Sequence, residues 1–326
     1  MTDKMTITRR QGLKLLGAAA AVPGSVLFGP AAAGHDLFAR VESAALDFHA
    51  KEAAALLEGT YAELFRLRKA TRKVESMVHV RFADLGENVR IHGKRDELSR
   101  QRFIFNAEID TYGLGFDVVG DDDPRARDID STYVRISDVD SALRNLTIAF
   151  QQTRELDAAA ILNHAQTYDA SIGGDGVCLC SLAHPWDEGT WANTLLHHVD
   201  LNHQSLEAAL SRIEGFVDDG GERIHVRGVN LVVPPALADI GERAIAGLDL
   251  ANRGWTAPKL VVWDYLLRQD NWFVTTTVNG LDWYEREPFT IKVGVDRKND
   301  TVVVTGAERR KFTYTDPRAI FGAFPG

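Results

Sequence analysis

Apolar and polar residues alternate along this chain with two periods, which separate helical segments from extended ones. From Asp36 to Val74, Ala, Leu, Glu and Lys dominate with helical spacing, which predicts one or two helices. From Ser137 to about His164 the same spacing returns, with Ser137 as N-cap and an acidic first turn. At about 1.5 Å per residue, this second helix is roughly 40 Å long.

Between the helical segments, the residues from Val78 to Phe105 follow an extended pattern. Val78, Val80 and Phe82 alternate with His79, Arg81 and Ala83, and many of the remaining residues are basic. This pattern predicts a long β-hairpin or extended loop. Because a single hairpin has too few apolar residues to bury itself, we expect it to pack on another surface.

A strand is predicted from Glu108 to Val119, and the acidic run Asp121-Asp122-Asp123-Pro124 follows it. Three adjacent carboxylates can bind a divalent cation, but no glycine and glutamate follow at the spacing of a calcium loop. A solvated turn is therefore the preferred interpretation.

The C-terminal half alternates between short strands and helices without a regular repeat. Helices are predicted at Ser205–Val217 and Ala236–Ala246, and strands at Val177–Leu182, Asn230–Val233, Lys259–Trp263, Trp272–Thr277, Phe289–Val295, Thr301–Thr305 and Arg309–Tyr314. Interleaved helices and strands of this kind predict an α+β fold.

The overall charge limits the classes of partner. The 326 residues carry a formal net charge of −9, which disfavours a dedicated nucleic-acid-binding protein. The strongest basic cluster is Arg66-Leu67-Arg68-Lys69-Ala70-Thr71-Arg72-Lys73 at the end of the first helical segment. It could contact nucleic acid or an acidic neighbour, or it could be a solvated helix face.

The first residues resemble a twin-arginine export signal. Thr8-Arg9-Arg10-Gln11-Gly12-Leu13-Lys14 precedes an apolar, Ala-rich run that ends in the small residues Ala31-Ala32-Ala33. One alternative is therefore an exported periplasmic enzyme or binding protein, a monomer or small oligomer that begins near Gly34. Prolines and glycines interrupt the run, so no membrane span is expected.

A second group of residues has the side chains of a metal site or a catalytic site. It consists of Cys178, Cys180, His184, His197, His198 and His203. Structural zinc sites usually use cysteines two to four residues apart, so the Cys-x-Cys pair disfavours a metal centre. Ser181, His184 and Asp187 have the residue types of a hydrolytic triad, but no nucleophile elbow surrounds the serine.

Known nucleotide, phosphate and zinc motifs are absent from the sequence. We therefore assign no catalytic residue, no metal site and no cofactor. A set of aromatic residues is expected in the core or at an interface. These residues are Trp255, Trp263, Tyr265, Trp272, Phe273, Trp283 and Tyr284.

The second half resembles the major head subunits of Mu-like phages. The similar segments are Ala165–Asp169, Gly174-Asp175-Gly176, Leu179–Pro185, Leu231–Leu237, Trp272-Phe273-Val274, Gly280–Phe289 and Phe312–Gly322. They occur in the expected order over about residues 135 to 323. Each segment is short, and the tail segments are the most similar.

This resemblance implies an HK97-like capsid fold with five parts. Residues 1–74 would form an N-terminal arm, 75–106 the hairpin called the E-loop, and 107–171 a peripheral domain with the long spine helix. Residues 172–288 would form an axial domain, and 289–326 would return as strands of the peripheral domain.

The resemblance also implies a function, that of a major capsid subunit. Such subunits self-assemble as hexamers and pentamers into an icosahedral shell, with portal, scaffold and decoration proteins as further partners and packaged DNA bound non-specifically. The E-loop residues expected between subunits are Arg81, Arg90, Lys94, Arg95, Arg100 and Arg102. Those expected to face interior nucleic acid are Arg66, Arg68, Lys69, Arg72 and Lys73. The expected location is the virion, with assembly in the host cytoplasm, and an encapsulin-like compartment is an alternative with the same fold.

Overall fold

The computed structural model describes residues 32–70, 76–82, 102–127, 131–169, 173, 175–186, 189–196, 199–218 and 220–326. The chain divides into two compact units. The first unit takes the described parts of Met1–Glu58, Ile109–Thr153 and Glu285–Arg310. The second unit takes those of Gly59–Glu108, Arg154–Tyr284 and Lys311–Gly326. Helices and strands are mixed in both units, so the predicted α+β class is confirmed.

The helices have the following bounds: α1 Ala32–Phe48, α2 Tyr61–Leu64, α3 Val139–Asn163, α4 His203–Ile213, α5 Ala238–Ala246 and α6 Leu250–Arg253. Helix α1 continues through a π-helical turn, His49–Ala53, into Ala54–Leu56. The described residues also contain 3-10 turns at Pro124–Ala126, Ile136–Asp138, Pro235–Leu237 and Pro317–Ala319.

The strands have the following bounds: β1 Arg66–Lys69, β2 Ser76–Phe82, β3 Arg102–Glu108, β4 Asp110–Val119, β5 Tyr133–Arg135, β6 His184–Trp186, β7 Gly189–Trp191, β8 Gly228–Val233, β9 Lys259–Val262, β10 Trp272–Thr276, β11 Leu281–Asp296, β12 Thr301–Tyr314 and β13 Ile320–Ala323. They form a five-stranded sheet in the order β1-β11-β12-β4-β5 and a four-stranded sheet in the order β13-β10-β8-β9. The pairs β2-β3 and β6-β7 form two-stranded sheets.

The core of the first unit lies between strands β4, β11 and β12 and the first half of α3. Leu143, Leu146 and Phe150 recur at helical spacing and pack with Phe289 and with Val118, Val302 and Val304. Gly306 permits this close approach, because a Cβ there would lie 2.9 Å from the Phe289 ring and 3.0 Å from the Phe150 ring. Helix α1 adds Val41, Ala45 and Phe48 to the same core.

In the second unit, both faces of the four-stranded sheet are buried. Leu231, Val233, Trp272, Val274 and Phe321 pack toward the core that contains α4 and α5. The alternate residues Val232, Phe273 and Ile320 pack toward a different core, which contains the end of α3. This burial explains why Leu231–Val233 in β8 and Trp272–Val274 in β10 are apolar without a polar alternation.

Several predicted boundaries are wrong, for physical reasons that are visible in the structure. The 3-10 turn Ile136–Asp138 contains Ser137, so α3 begins at Val139 and ends at Asn163. Helix α4 begins earlier than predicted because Asn202 and Ser205 form a reciprocal capping box. It ends at Ile213, shortly before Gly215, and the 3-10 turn Pro235–Leu237 delays the start of α5.

Other predicted elements change type. Val177–Leu182 is not a strand, because the Cys180 N–H donates to the carbonyl of Ala165 and the Ser181 N–H to the side chain of Asn193. The tail strands predicted from Phe289 onward are parts of β11 and β12, since β12 pairs with β4 from Val302 to Arg310 without a break. Arg66–Lys69 is a strand and not the end of a helix.

A buried carboxylate links three parts of the second unit. Glu155, which is 2% exposed, accepts hydrogen bonds from the Thr60 N–H at 2.6 Å and the Trp263 Nε1–H at 2.6 Å. Burial raises the pKa of Glu155, and the hydrogen bonds partly offset that rise. The carboxylate therefore satisfies a backbone donor just before α2 and an indole donor after β9.

Replacing Glu155 by alanine leaves these two donors without their acceptor. We expect E155A to lower the free energy of unfolding by about 1 to 3 kcal/mol, the cost of a buried group that lacks its hydrogen bond. Urea unfolding followed by tryptophan fluorescence measures the change. The control E242A removes an exposed carboxylate of α5 and should change the free energy by less than about 0.5 kcal/mol. Equal effects of both variants would contradict the assignment.

The acidic run after β4 is a turn held by an arginine. Asp123 accepts from the Arg125 backbone N–H at 2.8 Å and from its side chain at 2.7 to 3.1 Å. The Arg125 guanidinium also donates to the Asn299 carbonyl at 2.6 Å, in the turn between β11 and β12. These contacts lower the pKa of Asp123 from 3.8 to about 2.

A carboxylate whose pKa is lower in the folded state than in the unfolded state stabilises the fold only while it is ionised. The contribution of Asp123 is therefore complete above pH 3.8 and is lost as the pH falls toward about 2. We expect R125A to flatten the decline of the unfolding free energy over this interval, as measured by urea titrations at several pH values. R268A, at an exposed arginine paired with Asp270, should keep the wild-type profile.

Candidate functional site

The predicted hairpin is present as the two strands β2 and β3. They pair antiparallel from Ser76 opposite Glu108 to Phe82 opposite Arg102. Among the described residues, no third strand joins this ladder. A two-stranded ladder is marginally stable in water by itself, so it needs a surface to pack against.

The register brings two of the predicted intersubunit residues together. Arg81 lies opposite Phe103, and Arg102 lies opposite Phe82, so both arginines belong to adjacent pairs at the same end of the ladder. Arg90, Lys94, Arg95 and Arg100 lie outside the described residues.

Strand β1 contains three of the five residues that were predicted to face nucleic acid. Arg66 and Arg68 each donate from Nε to Asp282 Oδ1, at 3.2 and 2.6 Å. Their side chains remain 42% and 34% exposed, whereas the Asp282 side chain is fully buried. Lys69 is exposed, and Arg72 and Lys73 lie outside the described residues.

Asp282 organises the surroundings of this basic strand. Its second oxygen accepts from the Thr315 hydroxyl at 2.8 Å, so both carboxylate oxygens have partners. Tyr284 follows nearby on β11, and the Arg68 guanidinium lies 5.9 Å from the centre of its ring. Burial raises the pKa of Tyr284 to about 12, and Asp282 adds to the rise, so this phenol is neutral at physiological pH.

The cysteine and histidine group does not converge on a metal site. No group of three or more His, Cys, Asp or Glu side chains suited to a metal ion occurs among the described residues. His203 begins α4 and is exposed, whereas Cys180 is buried and packs against Gly322. His197 and His198 lie outside the described residues.

His184 has partners other than those of a hydrolytic triad. The ring is fully buried, and its Nδ1 lies 2.9 Å from Asp175 Oδ2 while its Nε2 lies 2.9 Å from Asn193 Oδ1. Ser181 uses its hydroxyl to accept from the Ala183 N–H at 3.1 Å. Asp187 lies outside the described residues. Both ring nitrogens are therefore occupied by groups other than Ser181.

The predicted aromatic group is mainly part of the second-unit core. Trp263, Trp272 and Phe273 are at most 1% exposed. Two of the buried indole N–H groups find acceptors, that of Trp255 in Glu214 at 2.8 Å and that of Trp263 in Glu155, whereas the buried Trp283 Nε1–H has no hydrogen-bond partner among the described residues. These residues therefore pack within the core, which was one of the two alternatives for them.

Sequence reasoning missed Asp282, Asp175 and Asn193 as partners of the basic and histidine residues. Asp282 lies 214 positions from Arg68, and Asn193 contacts the carbonyl of Ile320 across 127 positions. The one local signal was the alternation of Arg66 and Arg68, which is typical of side chains on one face of a strand.

Comparison with known proteins finds similarity among solved structures only. No family model and no curated protein matches the sequence. The mature capsid of bacteriophage PhiM1 is 10% identical, with 93% of this chain and 90% of that chain covered and a TM-score of 0.47. The bacteriophage JBD30 capsid is 10% identical, with 84% and 68% covered and a TM-score of 0.45.

A third similar structure is the holo-SrpI encapsulin complex from Synechococcus elongatus PCC 7942. It is 9% identical, with 82% of this chain and 88% of that chain covered and a TM-score of 0.46. Within the described residues, no helix is long and apolar enough to cross a membrane.

A substitution of Asp282 tests whether this carboxylate holds strand β1 in place. D282N removes the charge that Arg66 and Arg68 share, and we expect it to lower the unfolding free energy by about 1 to 3 kcal/mol. Urea unfolding measures the change. D270N removes a carboxylate from the exposed pair with Arg268 and should have an effect below about 1 kcal/mol. If D282N were as mild as D270N, Asp282 would not hold the strand.

Proposed function

We propose that this chain is a major capsid subunit of the HK97-like type, which self-assembles as hexamers and pentamers into an icosahedral shell. The observation that carries the proposal is the β2-β3 ladder, a long paired segment that no other described strand extends. A ladder of this kind is stabilised when it lies across a neighbouring subunit. The proposal assigns no enzymatic activity to the chain.

The segments that carry the sequence resemblance support this proposal through packing. Trp283, Tyr284 and Phe289 belong to β11, while Phe312, Tyr314 and Phe321 belong to β12 and β13. All six side chains are buried. The resemblance therefore concerns residues that build the fold and not residues that perform chemistry.

The parts implied by the resemblance can be assigned within the same proposal. The ladder is the E-loop, α3 is the spine helix of the peripheral domain, and β8, β9 and β10 belong to the axial domain at residues 172–288. Strand β13 pairs with β10 from Trp272 to Thr275, so we place β13 in the axial domain although it follows residue 289.

Charge distribution suggests which surfaces meet which partners. Arg81 and Arg102 form the basic end of the E-loop ladder, and we propose that they pair with acidic surfaces of a neighbouring subunit. Interface ion pairs of this kind set register and specificity more than affinity. Lys69, with the exposed parts of Arg66 and Arg68, would face packaged DNA and bind its phosphates without sequence specificity.

Electron microscopy combined with size-exclusion chromatography tests the assembly of the full-length chain expressed in the cytoplasm. We expect closed shells, or rings of five or six subunits. A charge reversal at the ladder, R81E with R102E, should shift the protein to unassembled subunits with an unchanged circular dichroism spectrum. R212E reverses an exposed charge on α4 and should assemble as the wild type does.

The outcomes separate the alternatives. A monomer of about 36 kDa at several salt concentrations would overturn the shell proposal and favour the exported enzyme or binding protein. Shells that contain nucleic acid, measured by the absorbance ratio at 260 and 280 nm and by nuclease digestion after disruption, support a capsid. Shells that contain a protein cargo and no nucleic acid would instead indicate an encapsulin-like compartment.

A further inference from the structure

Strand β1 carries two arginines that share one buried carboxylate oxygen. Arg66 Nε lies 3.2 Å and Arg68 Nε lies 2.6 Å from Asp282 Oδ1. The other oxygen of Asp282 accepts from the Thr315 hydroxyl at 2.8 Å. Because both Nε atoms contact the same oxygen, they lie within about 6 Å of each other, a distance at which two positive charges repel. One carboxylate therefore holds the two guanidinium groups together as a pair.

The pair has one positive charge more than its carboxylate neutralises. Elsewhere in the chain, Arg268 pairs with Asp270 in the usual ratio of one cation to one carboxylate. Among the described residues, no second carboxylate forms an ion pair with Arg66 or Arg68. The ring centre of Tyr284 lies 5.9 Å from the Arg68 guanidinium, and this neutral phenol adds no charge. The site therefore lacks one negative charge.

Both guanidinium groups keep hydrogen-bond donors for a further ligand. Nε supplies one N–H to Asp282, and the terminal nitrogens Nη1 and Nη2 carry the remaining donors of each arginine. The side chains of Arg66 and Arg68 are 42% and 34% exposed, whereas that of Asp282 is fully buried. Strand β1 is the last in the order of its sheet, so no described strand covers its outer side. A solute can therefore reach the arginines but not the carboxylate between them.

We propose that Arg66 and Arg68 form a single binding site for one phosphate group, with Asp282 as the positioning residue. Phosphate oxygens accept hydrogen bonds, and the planar N–H fork of a guanidinium matches them well. One phosphate between the two forks supplies the negative charge that the pair lacks. Because Asp282 already orders both side chains through Nε, the ligand need not do so when it binds.

The shape of the ligand favours phosphate over a second carboxylate. The two oxygens of a carboxylate lie in one plane and face a single fork. The oxygens of a phosphate point toward the corners of a tetrahedron, so they can meet two forks from different directions. This site differs from a diffuse basic patch, in which only the number of positive charges would matter.

Phenylglyoxal modification of arginine, mapped by peptide mass spectrometry, tests the site in the full-length chain. We expect saturating inorganic pyrophosphate to slow modification of Arg66 and Arg68 at least about fivefold, with the same half-maximal concentration for both residues. Arg212, which is exposed on α4, should react at an unchanged rate. Absence of protection, or protection of the two arginines at clearly different concentrations, would overturn the single site.

Two further probes identify the source of the phosphate. Packaged DNA offers backbone phosphates, and this choice of source rests on the proposed function. We therefore expect a 5′-phosphorylated thymidine dinucleotide to protect both arginines. Protection by pyrophosphate alone would support the site and overturn DNA as its ligand. Equal protection by succinate would assign the pair to carboxylates, such as those of an acidic protein segment, and reject the phosphate proposal.

The variant D282N tests the positioning role, because charge and position predict opposite results. Loss of the carboxylate removes a negative charge beside the site, and Coulomb attraction alone would lower the half-maximal pyrophosphate concentration. We expect this concentration to rise at least about fivefold, since the guanidinium groups are no longer held as a pair. D270N makes the same change of charge at an exposed ion pair and should stay within about twofold of the wild type. An unchanged or lower concentration in D282N would reject the positioning role.

The variant R66K decides the question if D282N fails to fold. Lysine keeps the positive charge but has no planar fork, so pyrophosphate protection of Arg68 should weaken at least about fivefold. Undiminished protection would show that charge alone matters and would overturn the site. None of these measurements requires shell assembly. Shells whose arginines are not protected would reject the site alone, and protected arginines in a monomeric protein would reject the proposed function alone.

Discussion

Burial of both faces of the four-stranded sheet is the constraint that shapes the second unit. Leu231 and Val233 of β8 contact one core, and Val232 contacts the other. A sheet with two buried faces needs a separate cover on each side, because an exposed apolar face would cost about 25 cal/mol for each Å² left in water. Helices α4 and α5 cover one face, and the end of α3 contributes to the cover of the other.

This arrangement also explains where the polar side chains of the second unit lie. Connections that run beside a buried sheet must satisfy their backbone groups within the protein. Glu155 and Asn193 do this by binding backbone groups from segments that are distant in sequence, and Asp282 binds distant side chains in the same way. Each of these side chains is at most 2% exposed, so each fixes the path of a loop as well as its own hydrogen bonds.

The β2-β3 ladder is held together in a different way from the core of the second unit. Its strands are joined to each other by local pairing, and the described structure provides no third strand for them. Buried, long-range contacts stabilise the cores of the two units, whereas the ladder depends on a surface outside its own sheet. This dependence on another surface is the physical basis of the proposed shell.

The sequence alone determined the elements whose signal is local. The apolar stripe of α3, the apolar segments Leu231–Val233 of β8 and Trp272–Val274 of β10 and the alternation of β2 all predict their elements to within a few residues, because burial on one face or two imposes a pattern. Tertiary structure decided the rest. Arg66–Lys69 became a strand beside β11, and Val177–Leu182 became irregular, because distant groups compete for their hydrogen bonds. The pairings of Asp282 with Arg68 and of Asn193 with Ile320 span 214 and 127 positions. A local sequence pattern cannot predict such a partner, because the two residues come close only in the folded chain.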